Sequence, residues 1–349
     1  MRRGEYKVPG GKLVVAEVEV EDGVLARVNI SGDFFLEPDD ALDRIDEALR
    51  GLPAETSGRE LAERIEAATT DAALIGFDAR SVGIAVRRAL GASTTWSDHS
   101  FELIQAGPLP AYQNLALDQV LVEELGAGRR GPMLRLWEWA ESAVVLGSFQ
   151  SVRNEVDLAA AERRGVKPVR RISGGGAMFV EPGTSITYSL YVPATLVDGM
   201  SFEQSYAFLD DWVLGALESI GVSATYVPLN DITSPAGKIG GAAQKRLAGG
   251  AVLHHVMMSY DMDADAMTDV LRIGREKLSD KGTTSANKRV DPLRSQSQMA
   301  REDVVTSLLD YFRSRYTTSE SEVRPAEFAR VEELVKAKFA TEEWLHRVP

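Results

Sequence analysis

The chain predicts an α+β protein in two parts, a small N-terminal domain followed by a larger domain on a mixed or antiparallel sheet. Three observations carry this. The first ~90 residues read as a hairpin and then helices. A small, polar, unpatterned stretch (GASTTWSDHS, residues 91–100) follows, as a linker would. Beyond it, strand-like and helix-like segments interleave without a repeat. A length of 349 residues accommodates two or three domains.

Residues 12–20 (KLVVAEVEV) alternate apolar and polar side chains, Glu21, Asp22 and Gly23 turn the chain, and residues 24–30 alternate again, which predicts a β-hairpin. Pro38, Asp39 and Asp40 open a helix that carries Leu42, Ile45 and Leu49 at helical spacing and closes at Gly51. Two further helices are expected at residues 60–68 and 81–90. In the second part, residues 111–125 read as a helix, 134–146 as two strands around Glu141 and Ser142, and 156–164 as a helix. Residues 169–172 form a strand that ends at three glycines, and 185–192 another. A long amphipathic helix is expected at 202–220, then short strands, a glycine-rich loop at 237–241 and a strand at 251–260. Helices return from Asp265 onward, including 301–316 and 325–339.

Composition narrows the chemistry. Apolar residues make up 44% and charged residues 26%, ordinary for a globular protein. The absence of cysteine excludes disulfides, thiolate metal sites and a cysteine nucleophile on these residues. A net charge of −13 argues against nonspecific binding to nucleic acid or anionic membrane. The start, MRRGE, lacks an apolar segment after its arginines, and no apolar run reaches ~18 residues, so a cytoplasmic protein is expected.

Two stretches concentrate groups that bind anions. In RRISGGGA (residues 170–177) the glycines permit positive φ and close backbone approach, so their N–H groups can converge on phosphate or carboxylate oxygens, with Arg170, Arg171 and Ser173 beside them. The competing reading is a tight turn flanked by solvated arginines. In residues 229–255, Asn230 and Asp231 offer polar groups at a strand end, and Lys238 sits among Gly237, Gly240 and Gly241 as a point charge. Taken alone, Lys238 reads more readily as a surface lysine on a mobile loop. His254 and His255 lie on a strand whose side chains alternate, so only one of them can enter a given site. Phosphate-loop, nucleophile-elbow and zinc-helix motifs are absent from the sequence. Carboxylate pairs such as Asp39 with Asp40 and Glu123 with Glu124 fall on helices as solvated faces.

These residues resemble the lipoate-protein ligases, which activate lipoic acid with ATP and attach it to a lysine. The matching pieces are NLALD (114–118), LW (136–137), VLGSFQ (145–150), RRISGGGA (170–177), ND (230–231) and KIGGAAQ (238–244), in the family's order over residues 101–349. Residues 10–49 are similar to the accessory domain that in many such ligases follows the catalytic domain; here it precedes it. Residues 338–349 resemble the point at which the catalytic domain hands over to that accessory domain. Departures exist: VEPGT (180–184) stands where the family often has His-Asp-x-Gly-Asn, and His255 is followed by Val256 and Met257 instead of Gly-Thr.

The resemblance implies an accessory domain at residues 1–91, a linker at 92–100 and a catalytic domain of the biotin/lipoate ligase type at 101–349. It implies lipoyl-AMP formation from lipoate and Mg2+-ATP, then transfer to a lysine on lipoyl domains of 2-oxo-acid dehydrogenase complexes or on the glycine cleavage H protein. Lys238 is the expected catalytic residue. Arg171, Ser173, Gly174, Gly175, Gly176, Ala177, Asn230, Asp231, Gly241, Gln244 and His255 are the expected substrate and ATP contacts, with Asp231 also a metal ligand. The basic run at residues 167–171 is a candidate surface for acidic acceptors. Alternatives are an octanoyl or lipoyl transferase, whose known members form a thioester on cysteine, and a noncatalytic lipoyl-domain-binding protein. The Gly-Arg-Gly-Arg loop of biotin-protein ligases is absent.

Overall fold

The computed structural model describes residues 1–8, 10–272 and 290–349. The expectation of helices after Asp265 therefore falls partly outside the described residues. Two compact units emerge: Met1–Asp98 with Ala194–Phe208, and His99–Pro193 with Leu209–Pro349.

In the first unit, β1 (Arg2–Lys7), β2 (Leu13–Glu21) and β3 (Val24–Gly32) form an antiparallel sheet in that order. The hairpin of β2 and β3 turns at Asp22 and Gly23, both at positive φ, as the sequence requires. β4 (Phe35–Glu37) leads to α1 (Ala41–Leu49), α2 (Gly58–Ala68), β5 (Ala73–Ile75), which pairs with β4, and α3 (Ala79–Ala89). Ser57 and Asp78 cap α2 and α3 through their side chains, one turn earlier than the apolar periodicity alone indicates.

The second unit opens with β6 (Ser100–Leu109), a strand whose first residue lies inside the expected linker, and α4 (Ala111–Gly126). β7 (Met133–Trp139) and β8 (Ala143–Leu146) follow, then α5 (Val152–Glu155), α6 (Leu158–Arg163), β9 (Lys167–Arg170), β10 (Met178–Val180) and β11 (Ser185–Pro193). Helix α7 spans Phe202–Ser219, and its residues from Leu209 belong to this unit. Next come β12 (Thr225–Val227), β13 (Asp231–Ser234), β14 (Gly237–Arg246), β15 (Ala251–Ser259), α8 (Ala264–Val270), α9 (Leu293–Ser297), α10 (Arg301–Arg315), β16 (Thr317–Ser321), α11 (Pro325–Leu334) and α12 (Glu342–Leu345). The expected glycine loop at 237–241 is thus the first half of strand β14; glycines there keep a strand bare instead of bending it.

The described strands form a mixed sheet ordered β12-β13-β14-β15-β11-β7-β6-β16 and a small sheet ordered β10-β8-β9. The two strands read from residues 134–146 enter different sheets. One rung of the large sheet runs Ala243, His255, Ser189, Arg135, Ile104, because directly paired residues share a face. That face meets α4, whose Leu115, Leu117 and Leu121 are buried with Trp137, Trp139 and Leu253. On the opposite face, the Tyr188 and Trp212 rings meet at 5.0 Å, inclined at 60°, and Trp212 meets Phe312 of α10 edge-on at 5.0 Å.

Arg130 is nearly fully buried and tied to both oxygens of Glu327 at 2.7 Å each, to Ser321 Oγ at 2.8 Å, to the Glu322 carbonyl at 2.6 Å and to Glu102. Removing one partner strands a charge. Glu327→Ala is expected to lower stability by about 3 to 5 kcal/mol, and Arg130→Met with Glu327→Leu by much less, both read from urea unfolding midpoints.

Candidate functional site

One face of the large sheet collects most of the predicted residues. Gly241 and Ala243 alternate with residues that face the other way on β14, and pair with Asp231, Met257 and His255 on the neighbouring strands. The glycine turn lies over this face, since a Cβ on Gly175 would come within 3.7 Å of the Ala243 methyl.

Behind the turn is a line of buried polar groups. Ser173 Oγ lies 2.7 Å from His255 Nε2, and His255 Nδ1 lies 2.8 Å from Asp118 Oδ2. Asp118 also accepts from Ser189 Oγ at 2.8 Å, from Arg135 Nη1 at 3.2 Å and from the Tyr191 hydroxyl. Asn114, one helical turn earlier on α4, accepts from Arg135 through its side chain and donates to the Leu109 and Glu138 carbonyls at 3.1 and 2.9 Å. Burial holds His255 below its ordinary value of 6.5 against the opposing pull of Asp118, so the imidazole is neutral. Burial also pushes Tyr191 well up, which keeps its hydroxyl a donor to Asp118.

Arg171 shapes the turn from within. Its guanidinium donates to the carbonyls of Val145 (3.1 Å), Gly174 (2.6 Å) and Gly176 (2.9 Å), and its Nε to Ser173 Oγ (3.0 Å). The N–H groups of Gly174, Gly175 and Gly176 donate to no backbone group among the described residues, and that of Gly175 shares a peptide with the Gly174 carbonyl that Arg171 draws inward. Gly175 adopts φ +93°, and Gly147 passes so closely beneath that a Cβ there would sit 2.0 Å from the Gly175 oxygen. Both positions require glycine. Phe149 is 75% exposed beside Gly174. Ala177 packs, partly buried, against an apolar cluster that includes Val144 and Leu146.

Arg170 has a different task. It donates to the Gly147 carbonyl at 2.8 Å and twice to the Leu345 carbonyl, at 2.9 and 2.6 Å, while Trp344 Nε1 donates back to the Arg170 carbonyl at 2.9 Å. Arg347 reaches Ser148 Oγ at 3.1 Å. Arg170 and Arg171 are both buried, which overturns two expectations: they are not solvated, and residues 167–171 present no continuous basic surface. Only Lys167 is substantially exposed there, and it pairs with Glu141 at 2.7 Å.

Lys238 Nζ lies 2.8 Å from Asp231 Oδ1, with side chains 31% and 10% exposed. Asn230 fixes the strand beside them, donating from Nδ2 to the Ala242 carbonyl at 2.7 Å and accepting from the Ala242 N–H at 2.9 Å. A Cβ on Gly241 would stand 3.2 Å from Lys238 Nζ, so glycine leaves the ammonium its space. Among the described residues no three His, Asp or Glu side chains converge as a metal site. The single carboxylate of Asp231 nonetheless suits a magnesium ion held mainly by phosphates and water.

Gln244 is the predicted residue set apart. It pairs with His254 on the opposite face, where His254 Nε2 meets Asp210 Oδ1 at 2.5 Å. Sequence reasoning missed Asp118 and Arg135 as parts of the site. The signal was present: Asn114 and Asp118 are spaced i, i+4 among the apolar residues Leu115, Ala116 and Leu117 of α4, which places two polar groups on one face.

Two outcomes are expected. Gly175→Ala combines positive φ with a Cβ 2.9 Å from Arg171 Nη2, and should lower stability by about 1 to 3 kcal/mol in thermal unfolding. Because His255 resists protonation when folded, its contribution is fully present above pH 6.5 and is lost as pH falls from 6.5 toward its lower folded value. His255→Gln should flatten that part of the stability–pH curve, measured by urea unfolding between pH 5 and 7.

A family model of the lipoyl protein ligase A/B catalytic domain matches residues 110–313. Lipoate-protein ligase A subunit 1 of Thermoplasma acidophilum is 28% identical over 242 residues, which cover 66% of this chain and 90% of the relative. Octanoyltransferase LipM of Lysinibacillus sphaericus is 26% identical over 284 residues, 72% of this chain and 98% of the relative. Among solved structures, the bi-partite lipoate protein ligase of Thermoplasma acidophilum, described with its E2 lipoyl domain, aligns at TM-score 0.63 and 27% identity over 72% of this chain and 98% of its own. A lipoate-protein ligase A bound with ATP aligns at TM-score 0.60 and 25% identity, over 71% and 98%. The match to more than half of the chain, on a fold that lipoate ligases share, makes this protein a member of the lipoyl protein ligase A/B catalytic-domain family.

Proposed function

We propose that the protein is an ATP-dependent lipoate-protein ligase. In this reading the lipoate carboxylate attacks the α-phosphate of ATP, giving lipoyl-AMP and pyrophosphate, and the ε-amine of an acceptor lysine then displaces AMP. Both steps build negative charge on oxygens, which positioned cations and N–H groups stabilise. The observation that carries the reading is Lys238, a partly exposed ammonium held by Asp231 next to a bare Gly241, on the face covered by the glycine turn. Its rival is the octanoyltransferase reaction of the LipM relatives. An acyl-cysteine intermediate has no residue to form on in this chain.

Lys238 contacts the carboxylate and the α-phosphate in this proposal. The open N–H groups of Gly174, Gly175 and Gly176 receive the adenylate, with Arg171, Ser173, Ala177 and His255 shaping their surroundings, and Asn230, Asp231 and Gly241 flank the phosphates. Asp231 would hold Mg2+, which supplies charge neutralisation at the phosphates. Gln244 supports β14 from the other face. Residues 1–91 are read as the accessory domain, 92–100 as its connection and 101–349 as the catalytic domain. The acceptors proposed are lipoyl domains of 2-oxo-acid dehydrogenases and the glycine cleavage H protein, in the cytoplasm. No helix among the described residues is long and apolar enough to cross a membrane.

The test is lipoate-dependent exchange of labelled pyrophosphate into ATP. Wild type should exchange, and Lys238→Ala should lose about 100-fold or more in rate. Exchange absent with lipoate and octanoate alike, alongside ATP-independent acyl transfer to a lipoyl domain, would favour the transferase.

A further inference from the structure

The two half-reactions of the proposed ligase differ in one chemical need. A carboxylate attacking phosphorus carries no proton to remove. An amine attacking the acyl carbon does, because the nitrogen becomes positively charged as the bond forms and must lose a proton before the amide is stable. A base is therefore wanted in the second step only, and Lys238, a cation at the phosphates, does not supply it.

The line behind the glycine turn has the required polarity. Asp118 is surrounded by donors on β7 and β11, so His255 Nδ1 donates to it and Nε2 is left as an acceptor. Ser173 Oγ then donates its hydrogen to Nε2 and accepts from Arg171 Nε at 3.0 Å. A hydroxyl has one hydrogen and two lone pairs. One lone pair of Ser173 has no partner among the described residues. Ser173 is 1% exposed and His255 5%, which screens the line from bulk water.

The charged and titratable groups around His255 are Asp118 of α4, Arg171 after β9 and its neighbour His254 on β15; Arg135 of β7 and Tyr191 of β11 lie beyond Asp118. Only Asp118 favours a proton on the ring. Burial keeps the imidazole neutral at rest, and Asp118 steadies the imidazolium once it forms.

We propose that Ser173, His255 and Asp118 are the proton exit of the amide-forming step, an assignment that rests on the ligase reading above. The acceptor lysine's nitrogen bonds to the acyl carbon. The bond from that carbon to the phosphate oxygen breaks, and its electron pair leaves with AMP. The surplus proton on nitrogen passes to the open lone pair of Ser173 as Ser173's own hydrogen passes to His255 Nε2. Ser173 ends unchanged, and the imidazolium later returns its proton to water. Ser173 meets the substrate; His255 and Asp118 act through it.

The experiment compares half-reactions in the full-length protein. Pyrophosphate exchange reports activation. Single-turnover transfer from purified enzyme-bound lipoyl-AMP to a lipoyl domain reports amide formation. His255→Gln and Ser173→Ala should each slow transfer by about 100-fold, at least ten times more than they slow exchange. With rates divided by the fraction of neutral acceptor amine, wild-type transfer should level off above the titration of His255, whereas in the variants it should keep rising with pH as hydroxide takes over removal of the surplus proton. Hydroxylamine, whose adduct nitrogen is acidic enough to lose its proton to water, should capture the lipoyl group as hydroxamate at similar rates in wild type and variants. Equal losses in both half-reactions, or a variant pH profile parallel to wild type, would overturn the proposal and leave a structural role. Wild type without exchange removes the ligase reading itself, and the proton exit with it.

Discussion

The second unit is organised around a carboxylate that water cannot reach. Asp118 sits on the buried face of α4 at 1% exposure, and an isolated buried charge there costs several kcal/mol. The cost is met by donors from three strands: Arg135 on β7, Ser189 and Tyr191 on β11 and His255 on β15. Each of those contacts fixes where its strand lies relative to α4. Because His255 spends one nitrogen on Asp118, its other nitrogen is committed in direction, and Ser173 follows. The position of the glycine turn is thus traceable, bond by bond, to one helix residue.

Arg171 adds the complementary constraint. Satisfying its guanidinium with the carbonyls of Gly174 and Gly176 turns those peptides so that oxygens face inward. The reverse side of the same peptides is N–H. A buried cation thereby makes an anion-attracting surface without standing on it, which explains why two arginines and three glycines occur together. A surface arginine would bind anions directly but would leave the loop unshaped.

Much of this was legible in the sequence. The α+β class, the early hairpin and the helices of both units follow from period and capping, and the glycine turn and Lys238 were legible as anion-binding candidates because glycine and lysine have few other reasons to cluster. What was not legible depended on pairing. Gly237 to Gly241 look like a loop because glycine weakens strands in isolation, yet β13, with a one-residue slip at Ile239, and β15 from Gly240 onward draw them into a strand. Burial of Arg170 and Arg171 was invisible because their partners are backbone carbonyls, which no side-chain pattern reveals. Gln244 looked like a neighbour of Gly241 in sequence, but an odd spacing on a strand sends it to the other face. Strand alternation left His254 and His255 equivalent, and the family resemblance favoured His255; the structure places it on the α4 side, opposite His254.

The bonds from Arg170 to Leu345 span 175 residues. A chain made from its N-terminus forms the glycine turn long before Trp344 and Leu345 leave the ribosome. Until they arrive, Arg170 keeps its bond to Gly147 but lacks the two that hold its far side. Residues 344 and 345 thus complete the support of a turn encoded 175 residues earlier, and the site is finished only once both stretches are present.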